Sequence, residues 1–410
     1  MTSPTAPDGR AAPQDAPSDA DLDAQADARL DTHGDARSDT RSDGPGDARS
    51  DTHGGARLNT RLDATVHGRK GGTPQRPGGR ARHARNLTLA GLALLLMCAL
   101  SVALGSAEFS PSALADALLR REGAEGVTAI WELRIPRTLV GLGVGAALGL
   151  AGAIMQSLTR NPLADPGILG VNAGAATGVA LAFAFFGLTD LRGSVWFAFA
   201  GAAGATVLVY TLGSRGYGGA TPIRLALVGT AADAALLSIV WAVLLLDSDT
   251  LHRYRFWSVG SLAPVDAATL SQIWIFLAAG AVFALRLGPS LNALALGEDT
   301  ARSLGVDVGR ARLLAVAAVT LLCGAATAAV GPIFFLGLAV PHIVRALIGA
   351  DQRWLLPYSM LLAPTLLLAC DVLGRLLVRP AELEVGIITA FAGAPVLIAL
   401  LRGRRKAGEL

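Results

Sequence analysis

Cysteine, aromatic residues and charge are all scarce in this chain: of 410 residues, three are cysteine, 5% are aromatic and 16% are charged. Cys98, Cys323 and Cys370 each sit inside an apolar run, without clustering or metal-ligand spacing, and read as small buried hydrophobes. No Gly-Lys-Ser/Thr phosphate loop, HExxH pair or nucleophile elbow occurs, so no catalytic constellation and no bound cofactor or metal is expected of this chain. Residues 1–85 contain no aromatic residue and no apolar segment of the kind a secretory signal needs. The net charge of +3 comes largely from arginine in loops and carries no indication of nucleic acid.

What is present is apolar and helical in pattern. From Leu87 onward, long runs of Leu, Ala, Val and Gly succeed one another, several of them 18 residues or more, the length of a spanning helix. The chain reads as an all-α polytopic membrane protein, with glycine in excess because small residues let helices approach closely in lipid. Two parts follow: a cytoplasmic low-complexity tail over 1–85 and a transmembrane domain over 86–404. The tail carries a degenerate repeat over 27–63 of alternating Asp and Arg, too polar to bury a core, and is expected to be disordered. Its His33 and His53 are isolated and do not suggest a metal site.

The basic run Lys70–Arg85 abuts the first apolar run and fixes its amino end in the cytoplasm. Walking on from there gives about ten spans, near residues 87–104, 138–158, 168–186, 194–212, 225–246, 270–287, 313–330, 334–347, 355–376 and 385–401. Arginines concentrate in the loops this walk assigns to the cytoplasm, among them Arg215, Arg224, Arg286, Arg302, Arg310, Arg345 and Arg404. Both termini are therefore expected inside, in the cytoplasmic membrane.

Between the sixth and seventh spans lies Leu291–Arg312, too long and too patterned for a turn. Leu291, Leu294, Leu296, Ala301 and Leu304 recur at helical spacing, punctuated by Gly297 and Gly305, with Glu298, Asp299 and Arg302 on the polar side. The segment reads as two short amphipathic helices outside the bilayer: a surface connector, or a docking element for a cytoplasmic partner. Arg134 and Arg137 flank Pro136 at the outer mouth of span two. They suit either interfacial anchoring or capture of a carboxylate from a soluble partner, and Arg375 could join them. Polar groups also punctuate the spans. Gln156 and Asn172 flank the Asn161–Gly167 turn, His342 and Arg345 share a helix face, and Asp233 and Asp371 are intramembrane carboxylates that must face helices or water. Asp371 precedes Arg375 by four residues, which allows an internal pair.

Four ordered stretches then make a resemblance plain: RIPR followed by GLAGAIMQSLTRNPLADPGILGVNAGA, then LALGEDTARSLGV, GPIFFLGLAVPHIVR and RPAELEVGIITAFAGAP. Over Leu87–Arg402 the chain resembles the FecCD or BtuC-like permeases of binding-protein-dependent ABC importers for iron–siderophores, haem and vitamin B12. The resemblance implies ten spans per subunit and a dimer with a second copy or a paralogue. It also implies two ATPase subunits that bind ATP and magnesium, and an extracytoplasmic substrate-binding protein or lipoprotein. Arg134, Arg137 and Arg375 match positions that meet acidic residues of that protein. Leu291, Leu294, Gly297, Glu298, Ala301, Arg302, Leu304 and Gly305 match the coupling helices. Trp257 and Ser261 fall near the gate and dimer axis, and Gln156, Asn161, Asn172, Asp233 and His342 are assigned with them to the pathway. Glu384 stands where the family commonly has proline. The implied cargo is a ferric siderophore, with haem or vitamin B12 as alternatives. A proton-coupled secondary transporter using Asp233 or Asp371 is the competing class.

Overall fold

The computed structural model describes residues 78–107, 109–120, 126–188, 191–215, 221–263 and 265–408. The repeat, His33 and His53, and the first half of the basic run, residues 70–77, lie outside these residues. All regular structure among the described residues is helical. In order the helices are α1 (Gly78–Ala103), α2 (Pro111–Arg120), α3 (Ile135–Leu158, entered through a π-helical turn Ala129–Arg134), α4 (Val171–Phe186, entered through a 3-10 turn Pro166–Leu169), α5 (Leu191–Ser214), α6 (Pro222–Leu246) and α7 (Ser248–Ser258). They continue as α8 (Ala267–Arg286), α9 (Gly288–Ala295), α10 (Glu298–Ser303), α11 (Val308–Val330), α12 (Leu336–Ile348), α13 (Gln352–Leu377) and α14 (Val385–Gly408).

Seven of them are long and apolar enough to cross a membrane: α1, α3 with its lead-in, α5, α6, α8, α11 and α13. Three shorter apolar helices, α4, α12 and the Val385–Ile398 part of α14, bring the set to the expected ten. Helices α2 and α7 add two elements that hydropathy did not signal. Helix α1 opens at Gly78, eight residues before the expected domain boundary. Its polar first turns are held by tertiary contacts: the His83 ring stacks on Trp354 at 4.7 Å between centroids, and Tyr358 Oη donates to the His83 carbonyl at 2.8 Å.

The core is α3 and α11, whose most apolar windows are 78% and 72% buried against 11% for α1. Leucines 89, 92, 95 and 96 of α1 are exposed, as a lipid-facing helix requires. Alanine and glycine decide how closely the core helices approach. A Cβ on Gly145 would fall 2.4 Å from Pro364 Cα, and one on Gly149 2.6 Å from the Ser359 carbonyl oxygen, both on α13. Gly152 sits directly against the Gly337 carbonyl of α12. With no side chain on that stripe, backbone packs on backbone, the contact that replaces the hydrophobic effect between helices in lipid. Gly174 and Gly201 interlock α4 with α5 in the same way.

Loop aspartates start the helices. Asp247, Asp266, Asp307 and Asp351 accept backbone N–H bonds at the first turns of α7, α8, α11 and α13, and Thr221 does the same for α6. Each satisfies donors that a helix start leaves orphaned. Glu384, in place of proline, does not prevent α14: its carbonyl accepts from Ile387 N at 3.0 Å and the helix begins at Val385.

Candidate functional site

At one end of the bundle the end of α3 and the starts of α11 and α13 gather around the short pair α9–α10. This is the segment expected to form two amphipathic helices, and it does. Leu291, Leu294 and Ala301 are buried at 0%, 4% and 0% exposure, whereas Leu296 and Leu304, one at the end of each helix, are 67% and 62% exposed. The apolar stripe thus divides: three residues seat the pair on the bundle and two point away from it. Gly297 and Gly305 both take positive φ (114° and 81°), which lets the chain reverse after each short helix.

Polar pins fix this pair. Glu298 Oε1 accepts from Arg312 Nη2 at 2.6 Å and lies 3.8 Å from Arg160 Nη2, while Oε2 accepts from Arg302 Nη2 at 3.4 Å. Arg312 belongs to the first turns of α11, and Arg160 to the turn that ends α3. On α9, Asn292 Nδ2 donates to Asp351 Oδ1 at 2.6 Å and its Oδ1 accepts from Gln352 N at 2.8 Å, tying α9 to the start of α13. Arg160, Arg312, Asn292 and Asp351 were not singled out from sequence. Their separations of 14 to 138 residues along the chain leave no local pattern to read.

At the opposite end the structure brings Arg134, Arg137 and Arg375 together but turns them inward. They are 6%, 9% and 2% exposed. Arg134 donates to the carbonyls of Val102, Ala103 and Ala107 at 2.6–3.0 Å, and Arg375 to those of Ser101 and Leu104, both at 2.9 Å. The two guanidiniums therefore close the C-terminus of α1, whose last carbonyls have no helical partner. Arg137 binds Asp371 Oδ1 through Nε at 3.1 Å and Nη2 at 2.7 Å, and Glu382 Oε2 through Nη1 at 2.7 Å. Arg375 pairs with Asp371 Oδ2 at 2.8 Å, the internal pair that its spacing allowed. Where capture of a partner's carboxylate was expected, Arg137 and Arg375 meet carboxylates of this chain and Arg134 meets backbone carbonyls. Glu382 also accepts from Ser106 Oγ at 2.8 Å. Burial pushes the Glu382 carboxyl up, but the bond and charge of Arg137, helped by Ser106 and Arg375, outweigh it and hold it below the ordinary range.

The residues assigned to a pathway do not converge within one subunit. Gln156 is buried between α3 and α12, donating to the Gly337 and Leu338 carbonyls at 3.3 and 3.1 Å and accepting from Arg345 at 3.0 Å. His342 is part-buried on the same helix as Arg345. Asn172 accepts from Thr327 Oγ1 of α11 at 3.2 Å. Asp233 lies beside Gly170, at the start of α4, and its buried Oδ1 has no hydrogen-bond partner. Trp257 and Ser261 are buried where three chain breaks meet: Ser261 N donates to the Val330 carbonyl at 2.8 Å and Gly386 N to the Gly260 carbonyl at 3.0 Å. Asn161 is exposed and only shapes its turn, accepting from Leu163 N at 3.0 Å. Within that turn, burial pushes the Asp165 carboxyl up against the opposing pull of its bond from Gly167 N. Among the described residues no group of three or more His, Cys, Asp or Glu could hold a metal ion.

This arrangement, a helical bundle with a pinned helix pair at one end, has close relatives. A sequence profile of the FecCD transport family matches residues 93–403. The ferric enterobactin transport system permease protein of Escherichia coli is 45% identical over 326 residues, covering 79% of this chain and 97% of that one. The hemin transport system permease protein of Yersinia pestis is 38% identical over 322 residues, covering 77% and 96%. Among solved structures, an inward-facing metal-chelate type ABC transporter superposes with a TM-score of 0.69 at 30% identity, covering 78% of this chain and 99% of that chain.

Proposed function

Because the chain belongs to the FecCD transport family, we propose that it is the membrane-embedded permease subunit of a binding-protein-dependent ABC importer whose cargo is a ferric siderophore. Hydrolysis belongs to partner ATPase subunits, which bind ATP and magnesium, and a second permease copy or paralogue completes the translocation path. An extracytoplasmic binding protein delivers the chelate.

One observation carries this reading: a helix pair with exposed apolar ends, Leu296 and Leu304, is pinned through Glu298 and Asn292 to three helices of the bundle. Exposed leucines outside the spans suit a groove on a soluble partner, and the pins connect whatever that partner does to the core. The siderophore assignment is favoured by the 45% identity to a ferric enterobactin permease. The test is uptake of ferric enterobactin, labelled with radioactive iron, into proteoliposomes that hold the chain with its ATPase and binding protein. ATP-dependent uptake supports the assignment. Uptake of haem or vitamin B12 in its place overturns the cargo, and failure of Leu296→Asp/Leu304→Asp to weaken ATPase co-purification overturns the docking role.

A second reading, proton-coupled transport, rests on Asp233, whose Oδ1 lacks a hydrogen-bond partner inside an apolar helix. It predicts uptake by this chain alone under a proton gradient, abolished by Asp233→Asn.

A further inference from the structure

Helix α10 has six residues and buries only one of them, Ala301. An alanine side chain supplies little apolar area, so the hydrophobic effect alone holds α10 weakly to the bundle. Its firm attachment is ionic, through Glu298. That carboxylate divides its oxygens between elements: Oε1 takes Arg312 at 2.6 Å and faces Arg160 at 3.8 Å, and Oε2 takes Arg302, one turn along α10 itself, at 3.4 Å. Arg312 is 8% exposed, so its charge is largely withdrawn from water, and Glu298 is the one carboxylate within salt-bridge distance of it among the described residues.

The second observation is backbone conformation. Arg160 adopts φ 51°, the left-handed region, at the position that terminates α3. Glycine is the usual occupant of such a helix end because a side chain there is strained. An arginine tolerated at that position turns its guanidinium toward Glu298. Helices α3 and α11, the two most buried spans, thereby meet at one carboxylate of α10.

We propose that Glu298 is a positioning residue: it links α10 to α3 and α11 so that a displacement of the α9–α10 pair is delivered to the core of the bundle. The inference rests on the importer reading above, and names the residue through which coupling passes inside the permease. Leu291 and Leu294 hold α9 by apolar contact, which resists separation but tolerates sliding. A charged pin with directed hydrogen bonds fixes register as well.

The experiment compares ferric enterobactin taken up per ATP hydrolysed in proteoliposomes of the whole transporter: wild type, Glu298→Gln, Arg312→Gln and the double variant. Each single variant is expected to lower that ratio about tenfold. The double is expected to be no worse than the weaker single, because both remove the same link. Arg160→Gln, a milder change at the outer member of the cluster, is expected to lower it about threefold and guards against misfolding of the buried variants. An unchanged ratio in Glu298→Gln and Arg160→Gln overturns the proposal, as does strict additivity of Glu298→Gln and Arg312→Gln. Loss of ATPase co-purification in Arg160→Gln also overturns it, by making the cluster a docking surface. Absence of ATP-driven uptake in the wild type removes the importer reading itself, and the proposal with it.

Discussion

Replacing Asp371 by asparagine tests the ionic clasp most severely. Asp371 is 0% exposed and sits between Arg137 and Arg375, themselves 9% and 2% exposed. In the wild type two guanidiniums face two carboxylates, Asp371 and Glu382, and the charges balance. Asparagine preserves shape and leaves one acceptor oxygen, but removes the charge that both arginines share. Arg137 keeps Glu382; Arg375 keeps only hydroxyl and carbonyl partners, Ser101 and Leu104. Removing one member of a buried pair costs about 3–5 kcal/mol, because the remaining charge stays desolvated. At about 1.4 kcal/mol per decade, that is roughly two to three and a half orders of magnitude in the folded-to-unfolded ratio. The assay is equilibrium unfolding in mixed micelles with increasing dodecyl sulfate, followed by tryptophan fluorescence. Asp299→Asn is the control, since its pair with Arg302 is solvent-exposed and such pairs contribute about 0–1 kcal/mol. The reasoning is refuted if Asp371→Asn destabilises no more than Asp299→Asn.

Gly152→Leu should destabilise the bundle by about 1–3 kcal/mol or prevent its assembly, as overpacked cores do, because its side chain would enter the Gly337 carbonyl; Gly91→Ala, mid-helix with nothing within 4 Å, should leave the unfolding midpoint no lower. His83→Ala removes the ring stacked on Trp354 and should cost about 1 kcal/mol, read as faster amide exchange over the first turns of α1 with the rest of the bundle unaffected. Glu382 has a folded-state pKa held below its ordinary value of 4.5, so its contribution is fully present above that value and disappears as pH falls through the depressed one. Comparing unfolding midpoints of wild type and Glu382→Gln across pH should show a gap at neutral pH that closes in acid; a gap that widens on acidification would contradict the sign.

Sequence periodicity located the spans because lipid imposes length and composition on a helix before any neighbour does. The same logic found α9 and α10, whose leucines recur at helical spacing, and the Asp371–Arg375 pair, which is local. It missed what tertiary contact alone decides. Arg134 and Arg137 lie three apart, yet one closes α1 and the other binds Asp371 and Glu382 across 234 and 245 residues. Nothing local distinguishes an arginine that reaches out to a partner from one that reaches across to α1 or α13. Helices α2 and α7 escaped because they are short and carry charge, and His83 because a polar stretch became helix through a ring stack with α13. Asp233 was conspicuous in sequence and stays so, an acceptor without a donor.

The packing also says how motion can pass through this molecule. Glycines of α3 bring its backbone against Pro364 and Ser359 of α13 and against Gly337 of α12, so these helices behave as one body. Interlocked backbones are bistable or fixed; they do not deform by degrees. The same α3 is tied at one end through Arg160 to the α9–α10 pair and at the other through Arg137 to α13 and Glu382. Under the proposed coupling, a push on α9–α10 would travel along α3 as a rigid displacement. The chain breaks between α7 and α8 and between α11 and α12, at the left-handed residues Gly260, Gly331 and Phe335, are packed in the same way: Gly260, Gly331 and Gly386 sit directly against the carbonyls of Pro332, Trp257 and Val259, so the interlocked body extends to α7 and α14.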